Sequence, residues 1–385
     1  MRTEYNLETA LISASIVLMF IIFSTLWKRK IESAEVPHQY KFINGLRGIA
    51  AVFVFVNHAP FVLTNLGVTN SRFSSWGQIY PNLGSFGVQI FFCITGFLFF
   101  DKIMKSKSID WNGFFVARLK RVAPLYYASS IIVVLIATIY SGQTILNRET
   151  IATLAGIISF NFIDNPMKIG DVSLIPLSSV TWTLVHEWRF YAVLPMVAIC
   201  YRSKYRNLTL LVTVILAAID LGTSAVVCWT YFLTGMIAAA ILKVKIERCS
   251  IKCIANITAV ASFILTCGLL EIPGYGYERY LITSLFFLCV TISNPRALHF
   301  KFLNRLSDIS YSIYLLHLPI LFVTFKSLAL LSDLSGIGKY TFWAVNFIVI
   351  PVVVSASALT FIYIEKRFML HSKYTKPQIT VAQRS

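Results

Sequence analysis

The chain has 385 residues, of which 57% are hydrophobic and 13% charged, so it has too little polar surface for a soluble globule. In a soluble protein its formal net charge of +17 would suggest nucleic-acid binding. Most of the Lys and Arg residues, however, lie in short loops between apolar runs, where they can contact anionic lipid and cytosolic phosphate. The composition therefore predicts a polytopic protein of the lipid bilayer that binds no nucleic acid.

Eleven apolar stretches are candidate membrane spans, because a hydrocarbon core of about 30 Å needs roughly 20 helical residues. In chain order they are residues 10–27, 49–66, 86–100, 124–140, 181–200, 208–221, 224–242, 254–270, 279–292, 308–329 and 341–364. The distribution of Lys and Arg over the intervening loops predicts an N-terminus outside the cell and a C-terminus in the cytoplasm. The apolar run 151–163 is short, and we expect it to be re-entrant or to lie on the membrane surface.

Arg47 and His58 belong to the second span, in the run G-L-R-G-I-A-A-V-F-V-F-V-N-H. Eleven residues at about 100° each return His58 to within about 20° of the Arg47 face, roughly 16 Å deeper. An ionisable residue at that depth costs at least a few kcal/mol, so we expect a function for it, with Asn57 as a supporting neighbour. The alternative is a histidine that only hydrogen-bonds a neighbouring helix.

Arg118 and Arg121 are three residues apart at the cytosolic start of the fourth span and share a helical face. Guanidinium groups match the geometry of phosphate oxygens, so the pair is a candidate phosphate site. Ordinary anchoring of the span by positive charge is the alternative.

Glu187 belongs to the fifth span, in T-W-T-L-V-H-E-W-R-F-Y, and is expected in its outer half, roughly 9 Å below the start of the helix. Arg189 could neutralise it, but residues two apart point to different sides of a helix. We therefore expect the Glu187 carboxylate to be reachable from outside and to take part in the chemistry.

His317 belongs to the tenth span, roughly 14 Å from its cytosolic start and at a depth close to that of His58. Tyr314 lies on the same side of this helix and can donate a hydrogen bond, and Tyr311 lies one turn earlier. All three are candidates for binding an acceptor or supporting the site. A hydrogen-bonded core histidine is the alternative for His317.

Basic residues at the cytosolic mouth, a midplane imidazole and a carboxylate reachable from outside predict a path open at both ends. A phosphorylated donor could enter from below and an acceptor from above. An imidazole can remove a proton from a hydroxyl or carry an acyl group itself. A secondary transporter, a saccharide flippase or a polymerase also fits intramembrane charges, but a transporter usually has repeated halves, which this sequence lacks.

Five motifs occur in a fixed order along the chain. They are Arg47 with His58, G-V-Q-I-F-F-C-I-T-G-F-L from Gly87, R-L-K-R from Arg118 followed by P-L-Y-Y, W-T-L-V-H-E-W-R-F-Y from Trp182, and S-Y-S-I-Y-L-L-H-L-P from Ser310. Together they resemble the integral-membrane acyltransferase family 3. The resemblance implies a ten-helix acyltransferase domain over residues 40–365, an additional N-terminal transmembrane helix in residues 1–30 and a basic cytoplasmic tail in residues 366–385. We expect no soluble esterase-like domain, because only about twenty residues follow Ile364.

The resemblance also implies a function. Family members move acetyl or another short acyl group from cytosolic acyl-CoA to a hydroxyl of a cell-surface or lipid-linked saccharide, here in a bacterial inner membrane. Transfer to a small non-saccharide acceptor is the alternative. No resident cofactor or metal is expected, acyl-CoA being a co-substrate, and self-association is left open.

By position, His58 resembles the family's essential histidine, and Glu187 resembles its acidic residue, which we expect to orient or charge His58. Arg118 and Arg121 resemble the pair that holds the CoA phosphates, with Arg47 as a further acyl-CoA ligand. Gln89 stands where the family often has Asp, and it is a candidate supporting residue.

Overall fold

A computed structural model of the chain describes residues 2–31, 40–66, 79–142, 147–244, 246–269 and 274–370. Within these residues the protein is almost entirely helical, and its only strands are β1 (Lys168–Ile169) and β2 (Val172–Ser173), which pair as a short antiparallel hairpin. The predicted all-α class is therefore confirmed. Residues 371–385 of the predicted tail and residues 67–78, which follow the second span, lie outside the described residues.

Each of the eleven predicted spans coincides with one helix of the described chain. In chain order the α-helices are α1 (Arg2–Leu26), α2 (Lys41–Asn65), α3 (Ile79–Lys105), α4 (Trp111–Tyr140), α5 (Arg148–Ile158), α6 (Ile175–Ser178), α7 (Trp182–Arg202), α8 (Arg206–Thr223), α9 (Trp229–Leu242), α10 (Cys249–Ile264), α11 (Tyr277–Ser293), α12 (Lys301–Asp308), α13 (Ser310–Leu331), α14 (Lys339–Thr360) and α15 (Lys366–Leu370). The short helices α5, α6, α12 and α15 are not counted among the spans.

Eight of the helices in the described residues are long and apolar enough to cross a bilayer, which supports a polytopic membrane protein. The other three predicted spans are α7, α9 and α11. Helices α9 and α11 have 14 and 17 residues, and at about 1.5 Å per residue they reach only about 21 and 26 Å. Helix α7 begins with a polar segment that contains Glu187 and Arg189. The exact number of eleven crossings therefore stays a prediction.

Several helices begin well before the apolar stretch that revealed them. Helix α2 begins at Lys41 and not near residue 49, and α4 begins at Trp111 and not near residue 124. The carboxylate of Asp110 caps α4 by accepting a hydrogen bond of 3.0 Å from the amide of Gly113. Hydropathy detects only the part of a helix that lies in hydrocarbon. The earlier starts place Arg47, Arg118 and Arg121 on regular helix, with defined directions for their side chains.

The apolar run 151–163 forms helix α5 and a reversal of the chain. Eleven residues at about 1.5 Å each span about 16 Å, so α5 is too short to cross a bilayer by itself. It packs along α4, where the hydroxyls of Tyr126 and Tyr127 donate to the carbonyls of Ile157 and Ile158 at 3.0 and 2.8 Å. These bonds satisfy carbonyls that the end of a helix leaves free. The chain then returns through the hairpin and α6 to the start of α7.

Helices α3 and α9 pack backbone to backbone at two glycines. A Cβ atom added to Gly235 would lie 2.0 Å from the carbonyl oxygen of Cys93, and one added to Gly96 would lie 2.1 Å from that of Phe232. Small residues that allow such close approach are a general feature of helix packing in membranes. The contact holds α3, which carries part of the site described below, against the rest of the bundle.

Replacement of Gly235 by Ala should destabilise the protein by about 1–3 kcal/mol or more, because the new methyl meets backbone atoms that cannot move aside. The matched control is Gly222→Ala in α8, where nothing lies within 4 Å of the added Cβ. The control should leave stability unchanged or raise it by about 0.5–1 kcal/mol through helix propensity. Thermal unfolding of both purified variants in detergent tests this, and equal melting temperatures would contradict it.

Candidate active site

A partly open cavity of about 150 Å³ brings together residues from α2, α3, α4, α7 and α13. Most of its polar lining is titratable. These side chains are Arg47, Arg118, Arg121, Glu187, Tyr191, Tyr311 and Tyr314. All the predicted acyl-CoA ligands therefore line one cavity, although α2 and α4 bring them there from different parts of the chain.

The three arginines of the cavity differ in their partners. Arg121 forms an ion pair with Glu365 at 2.6 Å. Among the described residues, Arg47 and Arg118 have no carboxylate within 4.0 Å, and the buried Nε of Arg118 has no hydrogen-bond acceptor. The Arg118 guanidinium lies over the ring of Phe99, 5.2 Å from its centroid. The cavity therefore contains two guanidinium groups whose charge is not neutralised by a direct ion pair, an arrangement suited to an anion.

Glu365 is a residue that the sequence analysis did not single out. Its side chain is fully buried at the end of α14, where residues Phe361–Glu365 form a π-helical turn. Besides Arg121 it accepts a hydrogen bond from the hydroxyl of Ser312, which in turn accepts one from Thr360 at 3.1 Å. The signal in the sequence was an acidic residue at the end of an apolar run, at the boundary we assigned to the tail. Glu365 holds the Arg121 guanidinium at the cavity wall.

Glu187 lies in the cavity with the arginines, five residues after the start of α7. Its position in the outer half of the span stays a prediction. Its carboxylate accepts a hydrogen bond from the hydroxyl of Tyr191, one helical turn later on α7. Asn161, just after α5, donates to the hydroxyl of Thr181 at 2.8 Å, which ties the end of the α5 segment to the start of α7.

His58 is paired with His317, and not with Glu187 as expected. The Nε2 atom of His317 lies 3.1 Å from Nδ1 of His58, and the two ring centroids are 5.2 Å apart. His317 is fully buried, whereas His58 is half-buried as a residue. The similar depth that the sequence predicted for the two histidines is what allows this contact between α2 and α13.

Tyr314 connects the cavity to the histidine pair. Its hydroxyl donates to the carbonyl of Val180 at 2.8 Å and lies 2.7 Å from the hydroxyl of Thr183, so it is held at the start of α7. Its ring lines the cavity and lies 6.5 Å, between centroids, from that of His317. His58 itself is not among the residues that line the cavity. Tyr314 therefore lies beside the cavity and beside His317, the partner of His58.

The remaining predicted site residues have mainly structural contacts. Tyr311 lines the cavity, and its hydroxyl donates to the carbonyl of Val122 at 2.8 Å. Gln89 is fully buried, donates to the carbonyl of Gly274 at 2.6 Å and accepts from the hydroxyl of Thr283 at 2.9 Å, so it links α3 to α11 and does not reach the cavity. Asn57 is half-buried and packs against Gly84 of α3.

The geometry can be compared with known proteins. The model of the acyltransferase domain family matches residues 40–364, which is most of the chain. The chain belongs to this acyltransferase family. The matched range agrees with the resemblance found in the sequence, and this family member carries the five motifs on α2, α3, α4, α7 and α13.

Two relatives of the chain are O-acetyltransferases by name. The O-acetyltransferase OatA of Staphylococcus aureus is 25% identical in an alignment of 336 residues that covers 76% of this chain and 52% of the relative. The peptidoglycan O-acetyltransferase OatA of Listeria monocytogenes is 25% identical in an alignment of 328 residues that covers 73% of this chain and 49% of the relative. The chain thus spans about half the length of these relatives.

A shorter match links the chain to nodulation protein 10 of Rhizobium leguminosarum, 31% identical over 137 residues, which are 33% of this chain and 37% of the relative. No solved structure shows a significant match.

The ion pair of Arg121 with Glu365 should be energetically coupled. Removing either partner leaves a charge buried without its counter-ion, so Arg121→Met and Glu365→Leu should each destabilise the protein by about 3–5 kcal/mol. The loss of stability in the double variant should be smaller than the sum of the losses in the two single variants. The difference, which is the coupling energy, should be at least about 1 kcal/mol.

Thermal unfolding of the four proteins in detergent measures this coupling. The exposed pair of Lys168 and Glu149, 3.3 Å apart, is the matched control and should show coupling below about 1 kcal/mol. Additive effects at Arg121 and Glu365 would show that the buried pair makes no net interaction.

Proposed function

We propose that this protein is a membrane O-acyltransferase that moves a short acyl group from cytosolic acyl-CoA to a hydroxyl of a cell-surface saccharide. The acyl group that we propose is acetyl. One observation carries the proposal. Among the described residues, Arg47 and Arg118 line a cavity without a direct ion pair, and Tyr314, which lines the same cavity, lies beside the His317 member of a histidine pair. An anion site and a basic imidazole are the two components that transfer from acyl-CoA requires.

The arginines of the cavity are suited to the phosphate groups of the donor. Arg47 and Arg118 supply two positive charges, and the Nε of Arg118 supplies a free donor among the described residues. Phosphates held there would let the pantetheine arm extend about 15 Å, half of a hydrocarbon core of about 30 Å, along Tyr314 towards His58. Arg121 lines the same wall of the cavity, and its positive charge is partly neutralised by Glu365.

His58 would act as general base. Its imidazole takes the proton of the acceptor hydroxyl while the hydroxyl oxygen forms a bond to the thioester carbonyl carbon. The tetrahedral intermediate then collapses, the carbon–sulfur bond breaks, and the CoA thiolate leaves and takes the proton from the imidazolium. The products are the O-acyl ester and CoA, and His58 returns to its starting state. Glu187 and Tyr191 line the same cavity as the arginines and are hydrogen-bonded to each other. The Glu187 carboxylate can stabilise the positive charge of the arginines that bind the donor, or accept a proton during the reaction.

The names of the relatives support the choice of acyl group and acceptor. An O-acetyltransferase and a peptidoglycan O-acetyltransferase are 25% identical to three quarters of this chain. We therefore propose acetyl transfer to peptidoglycan or a similar saccharide. We also propose that the protein lies in the bacterial inner membrane with its C-terminus in the cytoplasm, so that Arg118 and Arg121 face cytosolic acyl-CoA.

Replacement of His58 by Ala should abolish acyl transfer, while insertion and folding are retained. The reason is that His317, the other member of the pair, is fully buried. Transfer is measured as acetyl appearing on peptidoglycan fragments incubated with proteoliposomes and isotopically labelled acetyl-CoA. His299→Ala is the matched control, since His299 lies at the end of the bundle, 2.7 Å from the Asn294 side chain, and outside the cavity. Full activity of the His58 variant would reject the assignment.

Replacement of Arg118 by Lys should raise KM for acetyl-CoA about tenfold or more and leave kcat nearly unchanged. A single ammonium cannot reproduce the two-pronged guanidinium contact, and a hydrogen bond to a charged group contributes about 1.5–3 kcal/mol. Initial rates in the same proteoliposomes measure both constants. Arg189→Lys is the control, because the Arg189 side chain is exposed and should leave KM unchanged. A KM that does not move in the Arg118 variant would contradict a donor site there.

A further inference from the structure

The hydrogen bonds around His317 determine which of its nitrogens carries hydrogen. Nδ1 of His317 lies 2.8 Å from the carbonyl oxygen of Ile313, one turn earlier on α13. A carbonyl oxygen can only accept a hydrogen bond, so Nδ1 must be the protonated nitrogen. In a neutral imidazole the other nitrogen, Nε2, then carries the lone pair and can only accept. A helical backbone carbonyl thus fixes the tautomer of His317.

The same reasoning passes to His58. Nε2 of His317 is the acceptor in the 3.1 Å contact, so Nδ1 of His58 must donate and therefore carries hydrogen. This holds both when His58 is neutral and when it has gained a second proton. In the neutral ring the lone pair is consequently on Nε2, at the edge of the ring away from its own backbone. His58 is also the half-buried member of the pair, whereas His317 is fully buried.

From this chain of hydrogen bonds we infer that His317 is a positioning residue that holds His58 in the tautomer with its basic lone pair on Nε2. The inference rests on the proposed function and assigns a specific task within it. Nε2 of His58 removes the proton of the acceptor hydroxyl, and the Nδ1–H bond to His317 stabilises the imidazolium that results. The Ile313 carbonyl plays the part that a carboxylate plays behind a catalytic histidine in many hydrolases, acting through a second imidazole.

Packing around the pair makes this arrangement rigid. The ring of Phe55 contacts His317 edge to face with centroids 6.3 Å apart, and the ring of Phe61 contacts His58 in the same way at 5.7 Å. Tyr314 lies on the third side, with its hydroxyl bound to Val180 and Thr183. These aromatic neighbours restrict rotation of the two rings about their Cβ–Cγ bonds, so the contact between Nε2 of His317 and Nδ1 of His58 is maintained.

Two replacements of His317 separate positioning from mere packing. In His317→Gln the side-chain carbonyl oxygen can occupy the place of Nε2 and accept from His58, whereas His317→Leu fills similar space without any acceptor. The Leu variant should lose about 100-fold to 10,000-fold in kcat, as histidines do elsewhere when their tautomer is no longer held. The Gln variant should retain at least about tenfold more activity than the Leu variant. KM for acetyl-CoA should stay within about twofold in both, because the arginines are untouched. His299→Gln is the control and should behave as the wild-type protein.

Nitrogen NMR of the full-length protein with ¹⁵N-labelled histidine tests the tautomer without any need for turnover. The His58 signals are identified as those lost in His58→Ala. In the wild-type protein Nδ1 of His58 should show the shift of a protonated nitrogen and Nε2 that of an unprotonated one. The Leu variant should show a mixture of both tautomers or the reverse one, and the Gln variant should resemble the wild-type protein.

The outcomes distinguish the two proposals. Hydrogen on Nε2 of His58 in the wild-type protein, or equal kcat values for the Gln and Leu variants, would overturn the role of His317 even if acyl transfer is observed. A wild-type protein with hydrogen on Nδ1 but no acyl transfer would overturn the proposed function and leave the hydrogen-bond assignment intact. If the Leu variant does not fold, the wild-type spectrum and the kcat of the Gln variant still decide the question.

Discussion

A hydrocarbon layer offers no hydrogen bonds, so every polar group within it must find its partner inside the protein. This constraint explains the arrangement of polar residues in the bundle. Glu365 binds Arg121 and Ser312, Gln89 binds Gly274 and Thr283, and His317 binds Ile313 and His58. Against that background two arginines of the cavity stand out, because Arg47 and Arg118 have no carboxylate within 4.0 Å in the described part of the chain. This is the arrangement on which the proposed donor site rests.

The arginines and the histidine pair occupy different places in the proposed site. The arginines line the cavity, whereas His58 and His317 are not among its lining residues, and Tyr314 lines the cavity with its ring 6.5 Å, between centroids, from that of His317. In the proposed function this separation is an advantage, because a cationic donor site immediately beside the base would oppose its protonation. The proposal also places the reaction away from the part of the donor that gives affinity, so that donor binding and chemistry can be altered independently.

The segment between α4 and α7 connects several parts of this arrangement. Helix α5 packs against α4 through the hydroxyls of Tyr126 and Tyr127, and Asn161, just after α5, binds the hydroxyl of Thr181 at the start of α7. Val180 and Thr183, beside Thr181, bind the Tyr314 hydroxyl, and Glu187, one turn further along α7, lines the cavity with the arginines.

The sequence by itself determined the all-α membrane class, the approximate positions of the long helices, the family and six of the seven titratable side chains that line the cavity. Hydropathy and helical periodicity are properties of one segment, and a charged residue in an apolar run is visible without any partner. Only the tertiary structure decided which residues meet. His58 and His317 are 259 positions apart, and Arg121 and Glu365 are joined across similarly distant helices. Such contacts depend on how far each helix is rotated and shifted against its neighbours, and close glycine contacts such as those of Gly96 and Gly235 set those shifts. The partner of His58, the burial of Gln89 and the role of Glu365 therefore followed from packing between helices, which no single segment encodes.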